Sequence, residues 1–304
     1  MFSMNYNYQY IDWSHDPIPG EDFQHKGNLV TNIITPTITI GLSDYFNISY
    51  QQTIGVRSMN WMGDSTSMHH QNGNTSTDFD NAHGSKFGDG IINLKYLATN
   101  TGIQSGSRIF LGVGLIIPSK SVLTVNPFLE NEDGEALNEH RHYSLSDGCY
   151  KSNFEAQIYF KNNSKNILVP SFYGLTLNYI KPLKENNYGY LSSDTYVAIG
   201  SALFSTKLKP IWVPKGISLG LAYLKTKEAF WNGEVAPNSE SEMLIPSIGM
   251  IWNHKDYGSL SLNVKYNNNG NISESSLNNK VSMFELSIGY RKTLNYTIPW
   301  LDSY

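Results

Sequence analysis

A hydrophobic period of two begins at the first residues of this chain and constrains its fold more than any other feature. Phe2, Met4, Tyr6, Tyr8 and Tyr10 alternate with Ser3, Asn5, Asn7 and Gln9. Successive side chains of an extended strand point to opposite faces, so this segment predicts one aromatic face and one small polar face. The pattern returns at Phe46 to Arg57, Ile92 to Ala98, Asn153 to Phe160, Tyr173 to Tyr179, Ile217 to Tyr223, Leu244 to Trp252, Leu260 to Tyr266 and Phe284 to Arg291. Less regular runs lie at Val30 to Ile40, Ile109 to Ile117 and Val197 to Phe204. Together they predict about twelve strands of roughly 9 to 13 residues, long enough to cross a bilayer at a tilt.

The connections alternate in length. Gly41 to Tyr45, Thr99 to Gly106, Lys161 to Leu168 and His254 to Gly258 are short and rich in turn residues. Trp13 to Gly27, Arg57 to Gly88, Pro118 to Ser152, Pro182 to Ser192, Thr226 to Ser241 and Asn267 to Asn279 are long and polar. Ser205 to Gly216, with Pro210 and Pro214, is longer than the alternation predicts. An up-and-down antiparallel transmembrane β-barrel accounts for both patterns. In lipid every backbone N–H and C=O must be paired within the protein, so strands cross only as a closed barrel, with apolar groups outward and polar groups toward the lumen. A soluble sandwich or lipocalin-like barrel would need bulky apolar packing inside, whereas the minor faces here are Ser, Asn, Gly and Thr. The barrel is expected to occupy residues 1–294, with 295–304 as a C-terminal extension.

Composition supports the reading. Only 16% of the 304 residues are charged, against about 25% in typical soluble domains. The net charge of −4 leaves no basic footprint for nucleic acid. No run of apolar residues is long enough for a membrane-spanning helix. A single cysteine, Cys149, excludes an internal disulfide. The start, Met1 to Tyr6, lacks the basic and apolar stretches of a secretion signal, so an exported protein of this sequence would be a processed form or a fragment.

With the strands placed, the chain resembles the outer-membrane barrel family labelled as proteins of the meta-pathway of phenol degradation, regarded as transporters of aromatic compounds. The residues that carry the resemblance are Tyr6 to Asp12, the Gly41-Leu-Ser-Asp-Tyr turn before Phe46-Asn-Ile-Ser, a His-rich second loop, Phe87 to Tyr96, and Gly112 to Pro118. It covers roughly the first half of the chain. The resemblance implies a porin-like channel in the cell outer membrane for small, partly apolar organic molecules. The alternative is a structural or adhesive barrel whose long loops bind a partner or a metal ion.

Residues with functional chemistry fall into three groups. Arg57, Lys95, Glu155, Gln157, Asn178, Lys265, Glu285 and Arg291 lie on the polar faces, where they would line the lumen, pair across it and set selectivity. His69, His70 and His83 in the second long loop and His140 and His142 in the third are candidate ligands for a transition metal. Imidazole with nearby Asp78 and Asp80 suits such ions, and metal is the one cofactor the residues suggest. The competing reading is a solvated polar loop. Phe110, Phe172 and Tyr196 are the aromatic candidates for the inner wall, while Tyr10, Trp13, Trp61, Tyr96, Tyr179, Tyr223, Trp252, Tyr266 and Tyr290 would form girdles at the membrane surfaces. No nucleophile, base and oxyanion donor can be assigned together; His70-Gln71-Asn72-Gly73 only faintly echoes a barrel phospholipase. The expected partners are the lipid bilayer and a small solute, and no enzyme activity is expected.

Overall fold

The computed structural model describes residues 1–17, 22–65, 86–102, 105–120, 122, 144–164, 166–206, 210, 212–236, 239–270 and 280–294. The elements are β1 (Phe2–His15), β2 (His25–Gly41), β3 (Phe46–Trp61), β4 (Phe87–Asn100), β5 (Gly106–Ile117), β6 (Lys151–Lys161), β7 (Phe172–Pro182), β8 (Tyr190–Leu191), β9 (Thr195–Ser205), β10 (Gly216–Thr226), β11 (Phe230–Trp231), β12 (Glu234–Val235), β13 (Ser241–His254), β14 (Gly258–Gly270) and β15 (Lys280–Lys292). All but β8, β11 and β12 form one closed barrel, β1-β15-β14-β13-β10-β9-β7-β6-β5-β4-β3-β2. Every pairing is antiparallel, and β1 against β15 seals the cylinder from Phe2↔Lys292 to Ser14↔Lys280. Closure leaves no strand edge, which is the condition for a sheet in lipid.

The register aligns like with like around the wall. Tyr6 pairs Ile288 on one side and Ile34 on the other, and Leu221 lies between Gly200 and Pro246. This face is the outer one. It exposes large apolar side chains that a water-soluble protein would bury, among them Ile38 at 56%, Leu244 at 55% and Val113 at 49%. Tyr96, Tyr266 and Phe284 lie on the same face, where aromatic rings suit the membrane boundary. Trp252 donates from its indole to the Trp212 carbonyl at 3.0 Å and Tyr290 from its hydroxyl to the Tyr257 carbonyl at 2.8 Å, so two of these rings are tied to the turns beneath them.

Three readings from sequence are corrected here. The barrel strands run from 11 to 17 residues, because β1, β2 and β3 continue past the expected boundaries toward the long-loop end. Trp13 and Trp61 share the register of Gly27 and therefore face inward. They pack with His25 and Phe23 (His25 to Trp61 5.2 Å, Phe23 to His25 5.5 Å between ring centres) rather than joining a girdle. Tyr196 is the converse case. It pairs with Tyr179 and stacks on it at 4.9 Å, on the same face as Leu177 and Leu175, so it points outward.

The long loops are not all irregular. β8, β11 and β12 form a small sheet, with Phe230↔Leu191 and Trp231↔Tyr190 on one side and Phe230↔Val235 on the other. Its turn, Trp231-Asn232-Gly233-Glu234, holds Asn232 at φ 50° and Gly233 at φ 86°, the left-handed pair that a two-residue hairpin requires. Ala229, Trp231 and Ala236 are buried against Tyr190, giving the cap its own apolar core.

Candidate functional site: the lumen

The inner face is built by the parity of each strand, and the register assigns it. Asn47, Lys95, Gly112, Glu155 and Asn178 form one continuous row through β3, β4, β5, β6 and β7. Gln9, Glu285, Lys265 and Ser247 form another through β1, β15, β14 and β13. Gln157 lies one step from Glu155, Arg57 pairs Thr31, and Arg291 lies between Ser3 and Ser259. All eight charged or amide residues selected from the sequence thus stand on the inner face.

They divide into two ion-pair clusters. The Lys95 ammonium contacts both Glu155 oxygens, at 3.0 and 2.9 Å, although β4 and β6 are separated by β5. Gly112 makes the bridge feasible: a Cβ there would lie 3.3 Å from Glu155 Cβ and 3.5 Å from Glu155 Oε2 and Lys95 Cγ. One step away Asn153 donates to Asn93 Oδ1 at 3.2 Å over Gly114, whose missing side chain leaves the same passage. Gln157 also donates to Glu155. Opposite, Lys265 pairs Glu285 at 2.7 Å and the Ser287 hydroxyl donates to Glu285 at 3.1 Å. In the strand order β15 lies half a turn from β6, and β14 half a turn from β5, so the clusters face each other across the barrel.

Between the clusters lies a different surface. The inner positions of β9, β10 and β13 include Val197, Ile199, Ala222, Leu224, Met243 and Ile245, and toward the turn end they are mostly Ser and Gly with Leu203 and Ile251 among them. Ile199 is 39% exposed although the register turns it inward beside Thr176. The arc opposite, on β2 and β3, is hydroxyl and amide toward the turn end, at Thr35, Thr37, Thr39, Ser49 and Gln51, and continues toward the loops with Ile33 and Gly55. The lumen therefore presents one apolar wall, one polar wall and a balanced ion-pair cluster on each flank.

At the long-loop end the chain returns into the mouth. Arg57 donates from Nε to Thr31 Oγ1 at 3.1 Å and from a terminal nitrogen to the Ser144 carbonyl at 3.3 Å. From there the chain leads to Asp147, which pairs with Lys151 and accepts from the Cys149 amide at 3.0 Å. The fully buried Cys149 thiol donates to the Tyr190 carbonyl at 3.2 Å, and Asn186 donates to the Asp147 carbonyl at 2.8 Å. The segment from residue 144 to 150 is thereby fastened to the cap. Burial pushes the Cys149 thiol above the ordinary cysteine range, with Asp147 adding to the effect, and burial likewise raises Tyr190.

The candidate metal ligands His69, His70, His83, His140 and His142 lie outside the described residues, as does the extension at 295–304. Among the described residues no three metal-ligating side chains come together. The sequence reading missed Tyr159 and Arg108 on the inner face, although the period of two through β6 continues to Tyr159; Asn93 and Asn153 lie on the faces it read as polar but were not among the residues it selected. It also missed the spacer role of Gly112 and Gly114, for which two glycines on a polar face are the signal.

An outer membrane channel from Pseudomonas putida F1 superposes with a TM-score of 0.57 at 14% identity, over 95% of this chain and 94% of that one. The NanC porin aligns at a TM-score of 0.44 with 7% identity, over 95% and 100% of the two chains. The CymD monoaromatic hydrocarbon channel aligns at 0.42 with 10% identity, over 97% and 89%. No family model matches the chain, and no curated protein matches it. The first of these superpositions, together with the apolar outer belt, establishes the architecture as a transmembrane β-barrel of the outer-membrane type.

Proposed function

We propose that this barrel resides in an outer membrane and passes small, partly apolar organic molecules through its lumen. The observation that carries the proposal is the apolar arc of Val197, Ile199, Ala222, Leu224, Met243 and Ile245 on the inner wall. A lumen serving only as a structural post gains from cross-paired polar groups on every side, and a general aqueous pore has no use for a partly exposed isoleucine. An apolar wall facing a polar one accommodates both ends of an amphiphilic solute without stripping water from an unpaired charge. The flanking ion pairs hold their own charges in register and neutralise one another beside the apolar arc.

Liposome swelling with the refolded chain tests this reading. Proteoliposomes are expected to swell faster with small alcohols and phenolic solutes than with sugars of equal size. Ile199→Glu should weaken that preference, and Ile199→Leu should retain it. Swelling indistinguishable from protein-free liposomes for every solute would contradict passage and favour a structural or adhesive barrel.

A further inference from the structure

Toward the turn end of the lumen, beyond the Lys95–Glu155 pair, three rings meet on the inner wall. Tyr159 lies 6.2 Å from Phe110, edge on at 66°, and 5.3 Å from Phe172 at 30°. The register places them there from separate strands. Phe110 pairs Gln157, Tyr159 pairs Arg108 on one side and Gly174 on the other, and Phe172 pairs Leu203. Gly174 leaves the Tyr159 ring uncovered, since a Cβ there would sit 3.3 Å from two of its carbons. The three rings are half-buried on the inner face.

Cationic groups flank this platform. Arg108 is cross-strand from Tyr159 and donates from Nε to Asn100 Oδ1 at 3.2 Å, which leaves its terminal nitrogens for another acceptor. Arg291 stands on the inner face of β15, between Ser3 and Ser259, on the opposite wall at the same turn end of the lumen. Among the described residues neither guanidinium pairs with a carboxylate, whereas Lys95 and Lys265 each do. Among the described residues this end of the lumen therefore joins an aromatic surface to two guanidinium groups without a carboxylate partner.

We infer that Phe110, Tyr159 and Phe172 with Arg108 and Arg291 form a binding station for a small aromatic carboxylate. An arene stacks on or against the edges of these rings at 4.5–7 Å between centres. A carboxylate matches the fork of a guanidinium and accepts two parallel hydrogen bonds from it. A neutral arene would use the platform alone, and an arylamine would meet like charge. The inference narrows the channel reading above to one solute class and rests on that reading for its physiological sense, although binding itself requires no passage.

Equilibrium titration separates the two. The full chain, refolded in detergent, is titrated calorimetrically with sodium benzoate, benzyl alcohol and benzylamine. Benzoate is expected to bind at least tenfold more tightly than either of the others. Arg291→Gln should weaken benzoate about tenfold and leave benzyl alcohol unchanged, and Arg291→Lys should recover part of the loss. Phe172→Leu should reduce the preference for benzoate over acetate. Equal binding of benzoate and benzyl alcohol, or an Arg291→Gln barrel of unaltered benzoate affinity, would overturn the station. Benzoate binding of the expected pattern in a barrel that passes no solute supports the station and overturns passage; swelling without the benzoate preference does the reverse.

Discussion

Gly112 shows how much a single residue decides in this wall. Its hydrogen side chain lets Lys95 and Glu155 meet across an intervening strand. Gly112→Leu is expected to push the two apart and destabilise the barrel by about 1–3 kcal/mol, the range for overpacking a tight site. Denaturant unfolding from micelles would measure it. Glu155→Gln should cost about 2 kcal/mol, since it leaves Lys95 half-buried without its charged acceptor, and the double variant Lys95→Met, Glu155→Gln should recover part of that loss. Additive losses from the two single changes would show that the pair is not coupled. The inward position of Lys95 and Glu155 was legible from parity alone. Their pairing was not, because the distance between them depends on which strand lies between and how long its side chain is. Trp13 and Trp61 were misread for a related reason: an aromatic at a strand end suits a girdle or a packed mouth equally, and only the register, fixed by the Gly27 partner, distinguishes them.

At the scale of elements, the barrel strands were legible where one face meets lipid and the other a polar stretch of lumen, the condition under which a period of two survives in sequence; it is blurred in β9, whose inner face carries Val197 and Ile199. The cap strands β8, β11 and β12 are two residues each and too short for any period. Asn232-Gly233, the common signal of a tight hairpin, was the available clue. Pro246 was another. Pairing of β13 with β14 extends only from Ser247 to His254, and the stretch from Ser241 to Pro246 pairs with β10 alone, as suits a residue with no N–H to give a ladder. The cap has a direct reporter in Cys149. Its buried thiol should react slowly with maleimide at pH 7, and its rate should climb only at pH values above those of a free thiol, because burial disfavours the thiolate. Trp231→Ala, which empties the cap core, should speed the reaction at least tenfold and bring its pH dependence back toward the ordinary range. An unchanged rate would mean that the cap does not cover Cys149.

For the whole molecule, the two faces predict opposite responses to charge. Arginine at Ile48, Leu175 or Ile288, all in the outer register, should cost about 2–4 kcal/mol each near mid-membrane. Arginine at Ser49 or Thr176 on the inner register should be tolerated much better; equal costs on both faces would rule out the lipid belt. Function follows from what the cylinder encloses, and single-channel recording after insertion into a planar bilayer tests this most directly. The account predicts discrete, reproducible conductance steps. Tryptophan at Ala222, on the inner apolar arc, should reduce them, and tryptophan at Leu221, its outward neighbour, should not. A bilayer that stays silent after insertion has been verified, or steps equally indifferent to both substitutions, would contradict the claim that solute moves through this lumen.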